Sequence, residues 1–171
     1  MKKIFKLALM VALMCSATAA FAQKFGYINS QDLISVMPER VEVETKLEAL
    51  SKELTEQLEA IQVEYNNKAQ ELQKNRSLWS ASVIQLKERE LQTLQQRFGE
   101  FQQTAQQDMQ NMQTQLMAPV VTKAEAAITK ISEANGLTAV FDVSSGALAY
   151  YNKATMQDVL PLVKKEMGIA Q

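Results

Sequence analysis

Histidine is absent from the 171-residue chain, cysteine occurs once, proline three times and glycine five times. Without histidine there is no Ser-His-Asp or Cys-His relay and no histidine-ligated metal site. A single cysteine allows neither an intrachain disulfide nor a four-cysteine zinc site. Aromatic residues make up only 6%. So little Gly and Pro is unlike a loop-rich enzyme. Lys plus Arg (18) nearly balances Asp plus Glu (19). A dedicated nucleic-acid binder is usually basic over its whole domain, so that class is disfavoured. What is abundant is hydrophobic residues, 47% of the chain. With so few helix breakers, that composition fits long helices better than a catalytic α/β domain.

Residues 1–22 read as a secretory signal peptide. Lys2, Lys3 and Lys6 form a basic start, Leu7 to Met14 an apolar run, and Ala20-Phe21-Ala22 an A-x-A cleavage site before Gln23. The run is too short for a stable membrane anchor. Cys15 raises a rival, lipid attachment after cleavage before it, but Leu13 and Met14 precede it and Met fits that site poorly. Cleavage after Ala22 removes the lone Cys, which suits an oxidising compartment. It also removes three of the 18 basic residues and no acidic one, leaving 15 against 19, a net charge of −4. No later apolar run approaches membrane-spanning length. The expected mature protein is soluble and exported.

From Glu39 to about Lys74 there is neither Pro nor Gly. Apolar residues recur at Val43, Leu47, Leu50, Leu54, Leu58, Ile61, Tyr65, Ala69 and Leu72, in steps of 3 and 4. That is one continuous helical stripe. Its 4-4-3 rhythm repeats every 11 residues, so the stripe runs nearly straight or slightly right-handed. Asn75, Ser77 and Ser80 interrupt it. A second helix is expected over about Ser82 to Met117, with Leu86, Glu90 or Leu91, Leu94, Phe98, Phe101, Ala105, Met109, Met112 and Leu116 on its stripe. Gly99 is a soft spot inside it. Two helices of about 36 residues, roughly 54 Å each, joined by a short turn make an antiparallel hairpin.

Short elements flank this arm. Lys24 to Asn29 reads as a strand, and Ser30 as the cap of a brief helix over Gln31 to Met37. Pro38 suits the first turn of the next helix. Pro119 is expected to break or kink the return helix, with a further helix over Val120 to Ala134 and a stop at Asn135-Gly136. Leu137 to Val143 and Ala147 to Tyr151 read as a β-hairpin around Ser144-Ser145-Gly146. A last helix is expected over about Met156 to Met167, capped by Thr155 or Asp158.

The organisation is therefore a signal peptide (1–22), a small body (23–37 and 119–171) and a helical hairpin arm inserted in it (38–118). The fold class is α+β, mostly α, with a coiled-coil arm in a β-containing oligomerisation body. The body, about 65 to 70 residues, is thin for independent stability. The arm has no third layer to cover it. Both point to oligomerisation through the body.

The chain resembles the Skp/OmpH family of periplasmic chaperones for outer-membrane proteins. The resemblance rests on KFGYINSQDLI, KERELQTLQQRFGEFQQTAQQDMQ, LMAPVVTKAEAAITKISEANG and LTAVFDVSSGALAYYNKATMQDVL, in that order. It implies a jellyfish-like homotrimer in the periplasm whose three helical arms enclose unfolded outer-membrane proteins without ATP. No Gly begins a G-x-x-x-x-G-K-[ST] loop, in keeping with that. The best-known members are strongly basic, whereas the expected mature chain is acidic.

Charge is uneven along the arm. Val43 to Glu64 holds six acidic and two basic residues. Lys68 to Arg89 holds five basic (Lys68, Lys74, Arg76, Lys87, Arg89) and two acidic. A basic tip can steer clients or meet phosphate groups of a membrane surface or lipopolysaccharide. The plainer reading is a solvated surface with local pairs such as Glu71 with Lys74. Leu78, Trp79, Val83 and Ile84 are candidate client contacts at the tip. Alternatively they close the tip on Leu72 and Leu86. Met109, Met112 and Met117 suit either promiscuous contact or seam packing. One of Tyr150 and Tyr151 is expected in the trimer core. There is no catalytic constellation, no metal or cofactor site and no nucleic-acid partner. The leading function is an ATP-independent holdase, not an enzyme. The alternative is a structural spacer or adaptor that binds one folded envelope partner.

Overall fold

The computed structural model describes residues 23–169. The signal peptide and Ala22 lie outside the described residues, and Gln23 is the first of them. The elements run β1 (Lys24–Ile28), α1 (Ser30–Ser35), α2 (Pro38–Asn75), α3 (Ala81–Ala134), β2 (Leu137–Asp142), β3 (Gln157–Asp158) and α4 (Leu160–Glu166). They divide into two compact units. One is residues 38–120; the other holds residues 23–37 and 121–169 of those described.

The first unit is the antiparallel hairpin of α2 with residues 81–120 of α3. Its most buried residues on α2 are Val43, Leu54, Ile61 and Leu72, and on α3 Leu94 and Ala105. Several are separated by 11 residues, the repeat of the stripe. Leu47, Leu50, Leu58, Tyr65 and Ala69 are only half-buried, because two helices share a single seam and nothing covers its flanks. Leu86 departs from the expected stripe: it is 56% exposed.

Pro119 does not end the return helix. α3 continues unbroken from Ala81 to Ala134 with Pro119 inside it. A proline there removes one backbone hydrogen bond and crowds the preceding turn, at a cost of about 3 kcal/mol. Val120 and Ala124, just beyond it, are 3% and 2% exposed, and this burial offsets the cost. The helix stops at Asn135-Gly136 as expected. Gly136 takes φ +63° and its N–H bonds to Glu133 O at 3.1 Å.

In the second unit β1 is the central strand of three, in the order β2-β1-β3, and both neighbours run parallel to it. Gly26 and Ile28 point to the covered face. Ile28, Leu33 of α1, Met37, Val159 and Val163 of α4 are all at most 2% exposed. α1 and α4 pack together over this core.

The second unit departs from three local expectations. The helix cap is Asn29, whose side chain accepts from Asp32 N at 3.2 Å, so Ser30 is the first helical residue. The β-hairpin does not form: no strand covers residues 147–151. The chain leaving β2 is tied to the end of β1 instead, with Val143 N donating to Ile28 O at 2.8 Å and Ser144 N to Asp142 Oδ1 at 2.9 Å. That removes the tight return a hairpin needs. Finally, α4 is shorter than expected. Residues 157–158 are drawn into β3, and Val159 N donates to Tyr27 O at 3.1 Å. Asp158 Oδ1 then accepts from Leu160 N at 3.0 Å, and Pro161 sits in the first turn, where its missing N–H is harmless.

Candidate functional site

The tip of the hairpin is a short turn with its own hydrogen bonds. Asn75 O accepts from Leu78 N at 2.9 Å and Trp79 N at 3.1 Å. Ser80 opens α3: its carbonyl accepts from Ile84 N at 3.0 Å. This turn carries Leu78 outward, 79% exposed. Val83 is 37% exposed, while Trp79 and Ile84 are half-buried. Trp79 lies under the Lys87 ammonium, 5.6 Å from ring centroid to Nζ. Leu72 is buried, but Leu86 is not, so the two do not jointly close the tip. An apolar surface of Leu78, Val83 and Leu86 stays open to solvent.

The five basic residues near the tip divide into two groups. Lys68 meets Glu90 at 3.0 Å, Arg76 meets Glu88 at 3.2 Å, and Lys87 meets Glu71 at 3.4 Å and Glu90 at 3.8 Å. All but the last join α3 to α2 or to the turn. Glu71 thus pairs with Lys87 rather than Lys74. Lys74 and Arg89 are in no ion pair among the described residues. The hydrogen bond from Lys68 holds the Glu90 carboxyl below its ordinary range, outweighing desolvation, and the same bond raises Lys68. This charged layer occupies the seam where an apolar stripe would have placed Leu86.

Further along the hairpin the seam opens into clefts. One of about 170 Å³ lies among Ile61, Leu94 and Phe98, and beside it Gln95 Nε2 donates to Tyr65 OH at 2.9 Å. Another of about 390 Å³ is lined by Leu54, Leu58, Ala105 and Met109. Met109 and Met112 are half-buried, so they are partly seam and partly surface.

The sheet unit shows an aromatic face that sequence reading did not assemble. Phe25 and Tyr27 alternate with the buried Gly26 and Ile28. The Phe25 and Phe141 rings lie 6.0 Å apart, and those of Tyr27 and Tyr151 5.0 Å apart. Phe141 is 38% and Tyr150 80% exposed. Desolvation and the negative charge of Asp158 push the Tyr27 hydroxyl up, against the opposing pull of Lys153. The signal for this face was the period-2 alternation of β1. The parallel register that sets Tyr27 beside Phe141 and Asp158 had no local mark. Among the described residues there is no cluster of metal-ligating side chains, and no helix is long and apolar enough to cross a membrane.

Comparison with known proteins agrees with this architecture. Residues 24–167 match the family model for outer membrane protein (OmpH-like). The chaperone protein Skp of Pectobacterium atrosepticum is 26% identical over 154 residues, covering 90% of this chain and 93% of that protein. Skp of Photorhabdus luminescens matches with the same identity and coverage. Skp of Vibrio cholerae is 25% identical over 132 residues, covering 77% of this chain and 78% of its own. A solved OmpH-like structure from Caulobacter crescentus superposes with a TM-score of 0.72 at 14% identity, covering 86% of this chain and 85% of that one, and so shares the fold. These curated relatives are named as chaperones and not as enzymes. A match that spans both the hairpin and the sheet unit places the chain in the OmpH-like outer membrane protein family.

Proposed function

We propose that the protein is an ATP-independent periplasmic holdase that keeps unfolded outer-membrane proteins from aggregating. The observation that carries this is a two-helix hairpin whose apolar residues stay partly open along its length, ending in an exposed Leu78, Val83 and Leu86. Many weak contacts made at once along such a surface hold an unfolded chain yet let it go. The Skp relatives support the same reading by their name.

In this reading the arm is 38–118 and the body 23–37 with 119–171, delivered to the periplasm after cleavage between Ala22 and Gln23. Three copies assemble through the aromatic face of Phe25, Tyr27 and Phe141, where Phe141 is 38% exposed and Phe25 and Tyr27 are half-buried. Leu78, Trp79, Val83 and Ile84 touch the client. Lys74 and Arg89, having no ion pair among the described residues, supply the charge for acidic client segments or for the phosphates of a membrane surface or lipopolysaccharide. Lys68, Arg76 and Lys87 chiefly hold the hairpin together.

The test is the native mass of the mature protein by light scattering, alone and after mixing with a barrel protein diluted from urea. A trimer that takes up the client in a soluble complex of defined mass is expected. An oligomer that leaves the client to aggregate overturns the holdase and favours a spacer bound to a folded partner. A monomer overturns the assembly.

A further inference from the structure

We propose that Met109 is an oxidation site that sets how firmly the hairpin closes at the layer it shares with α2. Met109 lies on α3, half-buried, in the open cleft of about 390 Å³. Leu54, Leu58 and Ala105 are the cleft's other apolar lining residues, and Ser51, Thr55, Gln102 and Gln106 its polar ones. Ala105 is small, which leaves the thioether both packed against the seam and reachable from solvent. Met37, by contrast, is 1% exposed in the core of the other unit. The sole cysteine, Cys15, lies in the segment expected to be removed. Thioethers are then the sulfur groups on which a hypohalous acid can act.

The chemistry is a two-electron oxidation. The sulfur lone pair attacks the chlorine of hypochlorous acid and hydroxide leaves. Water then adds to sulfur, chloride departs and two protons are lost, one of them neutralising the hydroxide. The net products are the sulfoxide, chloride and one proton. Sulfur loses the two electrons that chlorine gains. The new S=O is a strong acceptor, and among Leu54 and Leu58 it has no donor. The amides of Gln102 and Gln106 and the hydroxyl of Ser51 are donors at the cleft. The oxidised side chain therefore turns toward these exposed polar groups and withdraws from the seam. In a two-helix arm no third element makes good the lost layer. Enzymatic reduction of the sulfoxide restores the thioether, so the change is reversible.

This inference depends on the hairpin alone and not on client binding. The mature protein is treated with stoichiometric hypochlorous acid and followed by peptide mass analysis and amide hydrogen exchange. Met109 is expected to oxidise at least tenfold faster than Met37. Exchange over residues 51–58 and 102–109 should then accelerate several-fold, and a methionine sulfoxide reductase should reverse it. Met109→Leu should abolish the acceleration although other methionines still oxidise. Met109→Gln should reproduce it without oxidant. The proposal is overturned if Met109 reacts no faster than Met37, if exchange in these segments is unchanged by oxidation, or if Met109→Leu leaves the acceleration intact.

Discussion

Ser30 Oγ donates to Asp142 Oδ2 at 2.5 Å, joining the first residue of α1 to the last of β2 across 112 positions of sequence. Asp142 Oδ1 also accepts from Ser144 N at 2.9 Å and Ser30 N at 3.2 Å. Burial alone would raise this carboxyl, but the hydrogen bonds outweigh it and hold it below its ordinary value of 3.8. A group depressed on folding stabilises the native state above its unfolded value. That contribution disappears as pH falls below 3.8 through the lower folded value. Urea denaturation from neutral to acid pH should therefore show an acid loss of stability that Asp142→Asn diminishes. Asp142→Ala should cost roughly 1 kcal/mol at neutral pH. Identical acid profiles for wild type and Asp142→Asn would contradict the assignment.

The Lys68–Glu90 pair should titrate as a unit between α2 and α3. Glu90 is lowered and Lys68 raised, so the pair stays charged from below the usual carboxylate range to above the usual lysine range. Lys68 contributes below its ordinary value and its share is lost as pH rises through the raised one. Glu90 loses its share at the acid end. In Glu90→Gln, an NMR titration of the Lys68 side chain should move back toward an ordinary lysine. No movement would show that the 3.0 Å contact is not formed in solution.

Two glycines should respond to alanine with opposite signs. At Gly26 a methyl would meet Leu137 Cδ1 at 3.0 Å, Val159 Cγ1 at 3.1 Å and the Gln157 carbonyl at 3.2 Å. The sheet has to spread, so Gly26→Ala should destabilise by about 1–3 kcal/mol. At Gly99, inside α3, a methyl meets nothing within 4 Å. Gly99→Ala should stabilise the hairpin by about 0.5–1 kcal/mol. Thermal melts of the two variants check both; an unchanged or raised melting temperature for Gly26→Ala would refute the packing there, and a lowered one for Gly99→Ala the open space at Gly99.

Leu78→Ser separates binding from stability. At 79% exposure the side chain has little to lose, so unfolding should change by less than about 0.5 kcal/mol. Suppression of client aggregation should weaken measurably at equal protein concentration. Unimpaired suppression would remove Leu78 from the client surface.

Long-period patterns were legible from sequence, and pairings between distant segments were not. The apolar stripe from Val43 to Leu72 announced α2 because a helix repeats its face every few residues. Near the tip the same rule misplaced Leu86, since ion pairs took over the seam. Pro119 pointed to a break because the local cost is real, but burial of Val120 and Ala124 is a tertiary term. The β-hairpin after Asp142 failed for a similar reason: Ser30 and Ile28, over a hundred residues earlier, capture the chain at the turn. Exposure of Leu78 was readable from its place at the tip. The division of the basic residues into paired and unpaired was not, because it depends on which turn of α2 faces which turn of α3.

The sheet order has a consequence for the order of folding. β1 is the first of the described elements along the chain, yet both its neighbours come from residues 137–142 and 157–158. The hairpin of residues 38–120 closes through contacts on either side of one turn and needs neither of them. In the unfolded chain the helices can pair while β1 waits, its backbone groups unmatched, for segments on the far side of the hairpin. A chain caught before residues 157–158 dock holds a finished hairpin and an open strand edge. That edge is where premature association between folding chains would begin.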